Sequence, residues 1–227
     1  MSVTHEQDIE CGRCGAAISV FLADSLNAGR HPALRERLLA GQLHRFTCGA
    51  CGHSLVIDKE LLYFDYERGH YFYVFPVTRI GDRATCIAEA RRAYDLSFGA
   101  HAPPSVRALG SSMMVRVCFG LDQLRDKVVA DDANLSDLAL EELKCRVLAA
   151  REELQARQVV GLWLVRADDA TLELVAQTAD GTPGPRLAIA RSFYDEVAAE
   201  GHDALVAMRP ALVHGPHISM LGLVLEA

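Results

Sequence analysis

The residues best suited to chemistry are four cysteines arranged as two Cys-x-x-Cys pairs, Cys11/Cys14 and Cys48/Cys51, each followed by a glycine. Two thiolates three positions apart grip one ion only if the chain between them turns tightly. A following glycine lets backbone amides approach the sulfurs without a Cβ clash. Because four thiolates complete a tetrahedral shell, the pattern predicts one structural Zn²⁺ bound by Cys11, Cys14, Cys48 and Cys51.

Three other interpretations of these pairs stay open. Iron is the second metal that four soft thiolates favour, and a redox Cys-x-x-Cys or simply buried cysteines are the non-metal alternatives. Thioredoxin-like chemistry does not explain a second pair. The pairs are separated by 33 residues, more than the roughly 15–20 of common zinc ribbons. We therefore expect a helix inserted between them.

The amino-acid composition limits the classes of protein to which the chain can belong. The chain has 227 residues, 50% of them hydrophobic and 23% charged, which is typical of a globular fold. Seven cysteines are an odd number, and Cys86, Cys118 and Cys145 are scattered singly, which favours a reducing compartment with buried thiols over a disulfide framework. The first ten residues lack a signal pattern and no long apolar run follows. We expect a cytoplasmic protein without membrane association.

Charge is unevenly distributed along the chain. The formal net charge is −7, and residues 158–227 hold 4 basic and 9 acidic side chains, so this last third should repel nucleic acid. Residues 30–53 are the exception, with Arg30, Arg35, Arg37 and Arg45 against Glu36. A nucleic-acid-associated regulator that uses this basic helix is therefore the alternative function to test.

Periodicity predicts an α+β chain. For the first half we expect strands at Ala17–Leu22, Ser54–Asp58 and Met113–Phe119, a hairpin of Leu61–Glu67 with His70–Pro76, and helices at His31–Ala40 and Ala84–Tyr94. Ala102–Ser105 should break the chain. A helix is expected at Leu121–Val129 with Asp122 as its N-cap, and one long helix at Ser136–Arg157.

The last third changes pattern. It predicts strands at Val159–Val165, Thr171–Gln177, Arg186–Ala190 and Ser219–Leu225, a loop at Asp180–Pro185, and a helix at Ser192–Glu200. We accordingly expect three parts: a zinc-binding domain at 1–130, a connecting helix at 131–157, and a small acidic α+β domain at 158–227. The first should be a zinc-ribbon-like antiparallel β unit with an inserted helix, leading into a helical middle.

The sequence resembles the CpXC family of prokaryotic proteins over residues 8–130. The resemblance is carried by the two cysteine pairs, by Asp24–Asn27, by Pro32–Gly41 and by Leu61–Asp65. The family is named for a proline after the first cysteine of a pair, whereas this chain has Gly12 and Gly49 there. The resemblance implies a metal site and no established activity.

Other residues offer weaker signals. His44 and His53 flank the second pair and are expected near the sulfurs or on the surface, and His214-Gly-Pro-His217 is expected to form a solvated turn. The sequence lacks the common hydrolase, metalloprotease, phosphate-binding and dinucleotide motifs. We therefore expect a non-enzymatic, zinc-stabilised scaffold or adaptor with an unidentified protein partner. An enzyme without a recognisable motif remains the third possibility.

Overall fold

The computed structural model describes residues 2–179 and 183–221. Contacts divide the chain into two compact units, Met1–Leu121 and Asp122–Ala227. Both mix helices with strands, so the predicted α+β class is confirmed. This division falls earlier than the boundary we expected at residue 130, and it groups residues 131–157 with the C-terminal strands.

The first unit contains seven strands and three helices within the described residues. In chain order they are β1 (Val3–Glu10), β2 (Ala17–Asn27), α1 (Pro32–Leu39), β3 (Arg45–Thr47), β4 (Ser54–Val56), β5 (Leu61–Asp65), β6 (His70–Phe75), α2 (Arg83–Phe98), α3 (Pro104–Ser111) and β7 (Met114–Phe119). A 3₁₀ segment, Val77–Asp82, joins β6 to α2.

Five of these strands form one sheet in the order β1-β2-β5-β6-β7. The predicted hairpin is confirmed, because β5 pairs antiparallel with β6, from Leu61 opposite Val74 to Asp65 opposite His70. Strand β2 runs parallel to β5, and β6 runs parallel to β7. Tyr63, Phe72 and Phe75 are fully buried, so the alternating aromatic residues of this hairpin form a sheet core.

Three elements of the first unit were not predicted. Strand β1 is almost entirely exposed and polar, so it lacks the apolar alternation that marks a half-buried strand. Strand β3 is only three residues long. Helix α3 begins at Pro104, inside the segment expected only to break the chain, because proline is well suited to the first turn of a helix.

The second unit contains five helices and five strands in its described part. They are α4 (Leu121–Asp132), α5 (Asp137–Ala150), α6 (Glu152–Ala156), β8 (Val159–Ala167), β9 (Thr171–Thr178), β10 (Pro183–Ala190), α7 (Arg191–Ala199), α8 (His202–Met208), β11 (Val213–His214) and β12 (His217–Ile218), with a 3₁₀ turn at Pro210–Leu212. Strands β8, β9 and β10 form an antiparallel sheet in the order β10-β9-β8. One apolar core joins this sheet to the helices, through residues such as Leu140, Leu164 and Leu174.

Several expectations for the second unit need correction. The single long helix is wrong: it is interrupted at Arg151, whose backbone is extended, between α5 and α6. Asp122 lies in the first turn of α4 and is not its N-cap. Residues 219–221 are not in a strand, and the rest of the strand expected at Ser219–Leu225 lies outside the described residues. The first three residues of the loop expected at Asp180–Pro185 also lie outside the described residues, and its last three residues begin β10.

No helix in residues 2–179 or 183–221 combines the length and apolar composition that crossing a bilayer requires.

Candidate metal centre

Each cysteine pair lies at the tip of a two-stranded antiparallel hairpin. Cys11 and Cys14 occupy the turn between β1 and β2, directly after the pairing of Glu10 with Ala17. The other pair occupies the turn between β3 and β4, after the pairing of Thr47 with Ser54. Two hairpins, distant in sequence, therefore present their turns to one another, with helix α1 in the intervening chain.

The two turns share one backbone geometry. The Cys11 amide donates to the Ala16 carbonyl at 2.9 Å, and the Gly15 amide donates to the Cys11 carbonyl at 2.8 Å. The second turn repeats both bonds, from the Cys48 amide to the His53 carbonyl at 2.8 Å and from the Gly52 amide to the Cys48 carbonyl at 2.9 Å. This repetition explains the recurring sequence Cys-Gly-x-Cys-Gly.

The glycine after each pair is required for a different reason from the one we expected. A Cβ atom at Gly15 or Gly52 would meet no heavy atom within 4 Å, so close approach is not the constraint. Their φ angles are +72° and +69°, in the left-handed region that only glycine adopts without strain.

The four sulfurs converge. All four Sγ atoms lie within 4.8 Å of one another. The Sγ atoms of Cys11 and Cys51 are 3.7 Å apart, and those of Cys14 and Cys48 are also 3.7 Å apart. Four sulfurs placed tetrahedrally at about 2.3 Å from one zinc ion would be separated by about 3.8 Å. The arrangement therefore fits a single metal ion, and the four predicted ligands form a possible metal site.

Hydrogen bonds and burial shift the pKa values of two of these thiols, Cys11 and Cys51, in opposite directions. Amide hydrogen bonds from Arg13 and Cys14 lower the pKa of Cys11 to about 7. At Cys51 an amide hydrogen bond from His53 acts in the same direction, but burial and the three neighbouring thiols raise its pKa to about 12. Four thiolates in one cluster repel one another, so a cation bound among them would favour the deprotonated form of all four cysteines.

The flanking histidines are not among the grouped ligand atoms. His53 contributes through its backbone, which accepts from the Cys48 amide. His44 is fully buried, and its Nε2 accepts a hydrogen bond from the Ala23 amide at 2.9 Å. Burial lowers the pKa of His44 to about 4. It is therefore a neutral core residue at physiological pH, and no local pattern in the sequence predicts this burial.

Among the described residues, the remaining cysteines and histidines lie outside the group of four sulfurs. Cys86 and Cys118 are buried as expected and Cys145 is half-buried, and burial raises the pKa of Cys86 and that of Cys145, the latter to about 11. His214 and His217 do flank a turn, between β11 and β12, but His217 is fully buried and not solvated.

A buried charged cluster in the second unit was missed by the sequence analysis. Asp126 and Lys127 on α4 meet Glu141 and Lys144 on α5, and all four are almost completely buried. The Lys144 Nζ atom lies 2.7 Å from both Asp126 carboxylate oxygens and 2.9 Å from Glu141 Oε1, while Lys127 donates to Glu141 at 2.8 Å. Alternating charges on predicted helices usually lie on the solvated face, so their pattern did not indicate burial.

Comparison with known proteins agrees with this site. No curated protein and no solved structure matches the chain. The family model described as CpXC protein matches residues 9–144, which contain all four cysteines and extend beyond the resemblance seen in the sequence. Glycine replaces proline at Gly12 and Gly49, where added Cβ atoms would meet nothing within 4 Å. Because the match covers more than half of the 227 residues, the chain belongs to the CpXC family.

Proposed function

We propose that the protein is a non-enzymatic scaffold or adaptor, stabilised by one structural Zn²⁺ in a zinc-ribbon-like arrangement of the β1–β2 and β3–β4 hairpins. The observation that carries this proposal is the convergence of Cys11, Cys14, Cys48 and Cys51 from two hairpin tips. Four protein thiolates leave no coordination position for a water or substrate, which is the property of structural sites. A reducing compartment such as the cytoplasm suits these free thiols.

Two further features support a binding role over catalysis. Among the described residues, a cavity of about 300 Å³ lies in each unit, and neither of these cavities is lined by a cysteine or a histidine. The charged cluster around Lys144 is closed by its own ion pairs. The proposal therefore assigns the function to a surface that contacts another protein.

The metal is tested by elemental analysis of protein purified without added metal, which should contain about one zinc per chain. Cys48→Ser should lose that zinc and the hydrogen-exchange protection of the two hairpins, because one lost thiolate opens the shell. Cys145→Ser, in the other unit, is the matched control and should retain both. A wild-type protein that folds with full hairpin protection and no metal would contradict the zinc assignment.

The binding role is tested by affinity purification from the native host, followed by mass spectrometry. We expect a protein to co-purify in stoichiometric amounts with the zinc-loaded chain. If no protein co-purifies at any salt concentration and turnover of a small molecule is found instead, the scaffold assignment is wrong.

A further inference from the structure

One face of the five-stranded sheet in the first unit borders a cavity of about 300 Å³. Side chains at alternate positions of a strand share a face. The register aligns Ser25 and Asn27 of β2 with Leu62 and Phe64 of β5, and it places Tyr71 of β6 opposite Phe64. All five line the cavity. The rest of its wall includes three residues of α2 and α3, namely Ser97, Phe98 and Val106.

The lining of this cavity favours an uncharged occupant. Among the described residues that line it, none is charged: they are aromatic or aliphatic residues, two serines and one asparagine. An ion that entered would lose its hydration without gaining a protein charge of opposite sign, which is costly. The occupant that suits this lining is therefore a neutral molecule.

Asn27 brings a hydrogen-bond donor to the cavity. This residue is only 4% exposed, and the Arg30 amide donates to its Oδ1 atom at 3.0 Å. Because a backbone amide can only donate, this bond identifies the oxygen and leaves Nδ2 as the other atom of the group. Nδ2 has no hydrogen-bond partner in the described part of the chain. Polar groups of buried residues are normally paired, so an occupant of the cavity should accept from Nδ2.

The buried hydroxyl groups of the cavity wall already engage groups of the protein. The Ser25 hydroxyl accepts from the Val3 amide at 3.0 Å, and the Ser97 hydroxyl donates to the Ala93 carbonyl at 3.0 Å. The Tyr71 hydroxyl interacts with the Ser97 side chain, and burial raises the pKa of Tyr71. The Asn27 amide is therefore the group best placed to orient a bound molecule.

Four aromatic rings line the cavity, and neighbouring rings are nearly perpendicular. The Phe64 and Tyr71 rings meet at 85° and the Tyr71 and Phe98 rings at 82°, with centroids 6.2 Å and 5.5 Å apart. Tyr66, which is half exposed, meets Phe64 at 83°. Perpendicular rings offer a face and an edge to the same space, so a planar ring can stack on one and meet the edge of another. A saturated ring gains neither contact.

We propose that this cavity binds a small, uncharged, planar aromatic molecule, whose carbonyl oxygen or ring nitrogen accepts a hydrogen bond from Asn27. Ligand cavities usually span about 300–1,000 Å³, so this one suits a molecule of one or two rings. The inference goes beyond the proposed function and does not depend on it, because the ligand binds within the first unit whether or not a protein partner binds elsewhere.

The test uses the full-length, metal-loaded protein and three probe molecules of nearly equal size. Benzamide is neutral, planar and carries a carbonyl; benzoate adds a charge, and cyclohexanecarboxamide keeps the carbonyl but is not aromatic. In methyl NMR titrations, benzamide should shift the signals of Leu62 and Val106 and leave that of Leu174, in the second unit, unchanged. Its Kd should be about 1 mM, as is usual for so small a ligand. The other two probes should bind about tenfold or more weakly.

Substitutions locate the site. Asn27→Asp keeps an oxygen for the Arg30 amide and replaces the Nδ2 donor with a second oxygen, so it should weaken benzamide binding about tenfold or more. Val106→Phe fills the cavity and should abolish the shift of the Leu62 signal. Leu96, on α2, is 82% exposed and does not line the cavity. Leu96→Phe is therefore the control and should bind benzamide within about twofold of the wild type. Circular dichroism and metal content verify the folding of each variant.

Each of four results would overturn the inference. If benzamide does not shift the Leu62 and Val106 signals of the folded protein, the cavity holds water alone. Equal affinity for benzoate would refute the argument from charge, and equal affinity for cyclohexanecarboxamide would refute the argument from the aromatic rings. Undiminished binding to Val106→Phe would place the ligand elsewhere. None of these results bears on the scaffold assignment, which the co-purification experiment tests separately.

Discussion

Replacing Lys144 with methionine should destabilise the second unit strongly. Lys144 is fully buried, and its ammonium donates to Asp126 and Glu141, both of which are also fully buried. Methionine has a similar length and fills the space without charge. The substitution leaves two carboxylates facing one remaining cation, Lys127, in a site from which water is excluded.

The expected loss of unfolding free energy follows from this imbalance of charge. Breaking a buried pair by removing one partner costs about 3–5 kcal/mol, because the other charge stays buried without compensation. An exposed ion pair contributes only about 0–1 kcal/mol. Arg166 pairs with Glu173 and Asp168 at the surface, so Arg166→Met is the matched control. We expect a difference of about 3 kcal/mol in unfolding free energy between the two variants.

The chain has a built-in reporter for this experiment. Trp163 is its only tryptophan, it lies in the second unit, and its ring is 5.9 Å from the Lys144 Nζ atom. Urea denaturation followed by tryptophan fluorescence therefore reports the unfolding of this unit. Zinc content should remain at the wild-type level in both variants, because the four cysteines belong to the first unit.

The pH dependence gives a second readout. Burial raises the pKa of Asp126, and the positive charge of Lys144 acts against this shift. Without Lys144 the pKa of Asp126 should rise further above its value in the unfolded chain. A carboxyl group with a raised pKa in the folded state binds a proton more readily when folded, so the lost stability returns as pH falls. The deficit of Lys144→Met should therefore shrink between about pH 7 and pH 5.

Adding Asp126→Asn to Lys144→Met removes the uncompensated charge and retains an acceptor for the Leu164 amide, which donates to Asp126 at 2.6 Å. This double variant should recover about half of the lost free energy. If Lys144→Met costs no more than Arg166→Met at pH 7, the cluster does not hold uncompensated charge and the reasoning is refuted.

Three further predictions concern the first unit. Gly15→Ala should lower the unfolding free energy by about 1 kcal/mol in thermal denaturation and should weaken zinc retention against a chelator, because φ at this position is +72°. Gly12→Ala, whose Cβ has open space, is the control and should change neither quantity. Equal effects of the two substitutions would contradict the argument from backbone strain. A fragment of residues 1–121 should fold and retain its zinc, as measured by circular dichroism and elemental analysis. If this fragment is unfolded even with zinc present, the first unit depends on the rest of the chain. DNA and RNA should not bind tightly at physiological salt in anisotropy titrations; micromolar binding that Arg37→Glu weakens would favour the nucleic-acid alternative.

The clustering of Cys11, Cys14, Cys48 and Cys51 into a possible metal site was predictable from the sequence, because the residues that shape each turn are close together in the chain. Each Cys-x-x-Cys-Gly specifies its own turn, so the pattern indicates the geometry without tertiary information. The hairpin of Leu61–Asp65 and His70–Phe75 was predictable for the same reason, since alternating aromatic residues surround the turn that contains Gly69, whose φ is +69°. In both cases residues that are close in sequence determine the local structure.

The features that the sequence missed depend on contacts between distant segments. The charged cluster pairs α4 with α5. Buried leucines mark the apolar face of α5, but no neighbouring residue in the sequence indicates that Glu141 and Lys144 are buried too. The interruption at Arg151 involves no proline or glycine, so no local residue marks it. His44 is buried against β2, where its ring accepts a hydrogen bond from the amide of Ala23, which is distant in sequence.

A metal ion at the four cysteines and the aromatic core of the sheet would stabilise different parts of the first unit. Strand β1 is exposed at almost every residue, so its pairing with β2 buries little apolar surface. Strands β3 and β4 pair over only three residues each. A three-residue hairpin such as β3–β4 is marginal in water, so a metal ion bound by the four cysteines would stabilise it. The aromatic core of β5 and β6 is buried by packing within the five-stranded sheet. Loss of zinc should therefore unfold the β3–β4 hairpin first, before β2, whose Val20, Leu22 and Leu26 are buried in the five-stranded sheet.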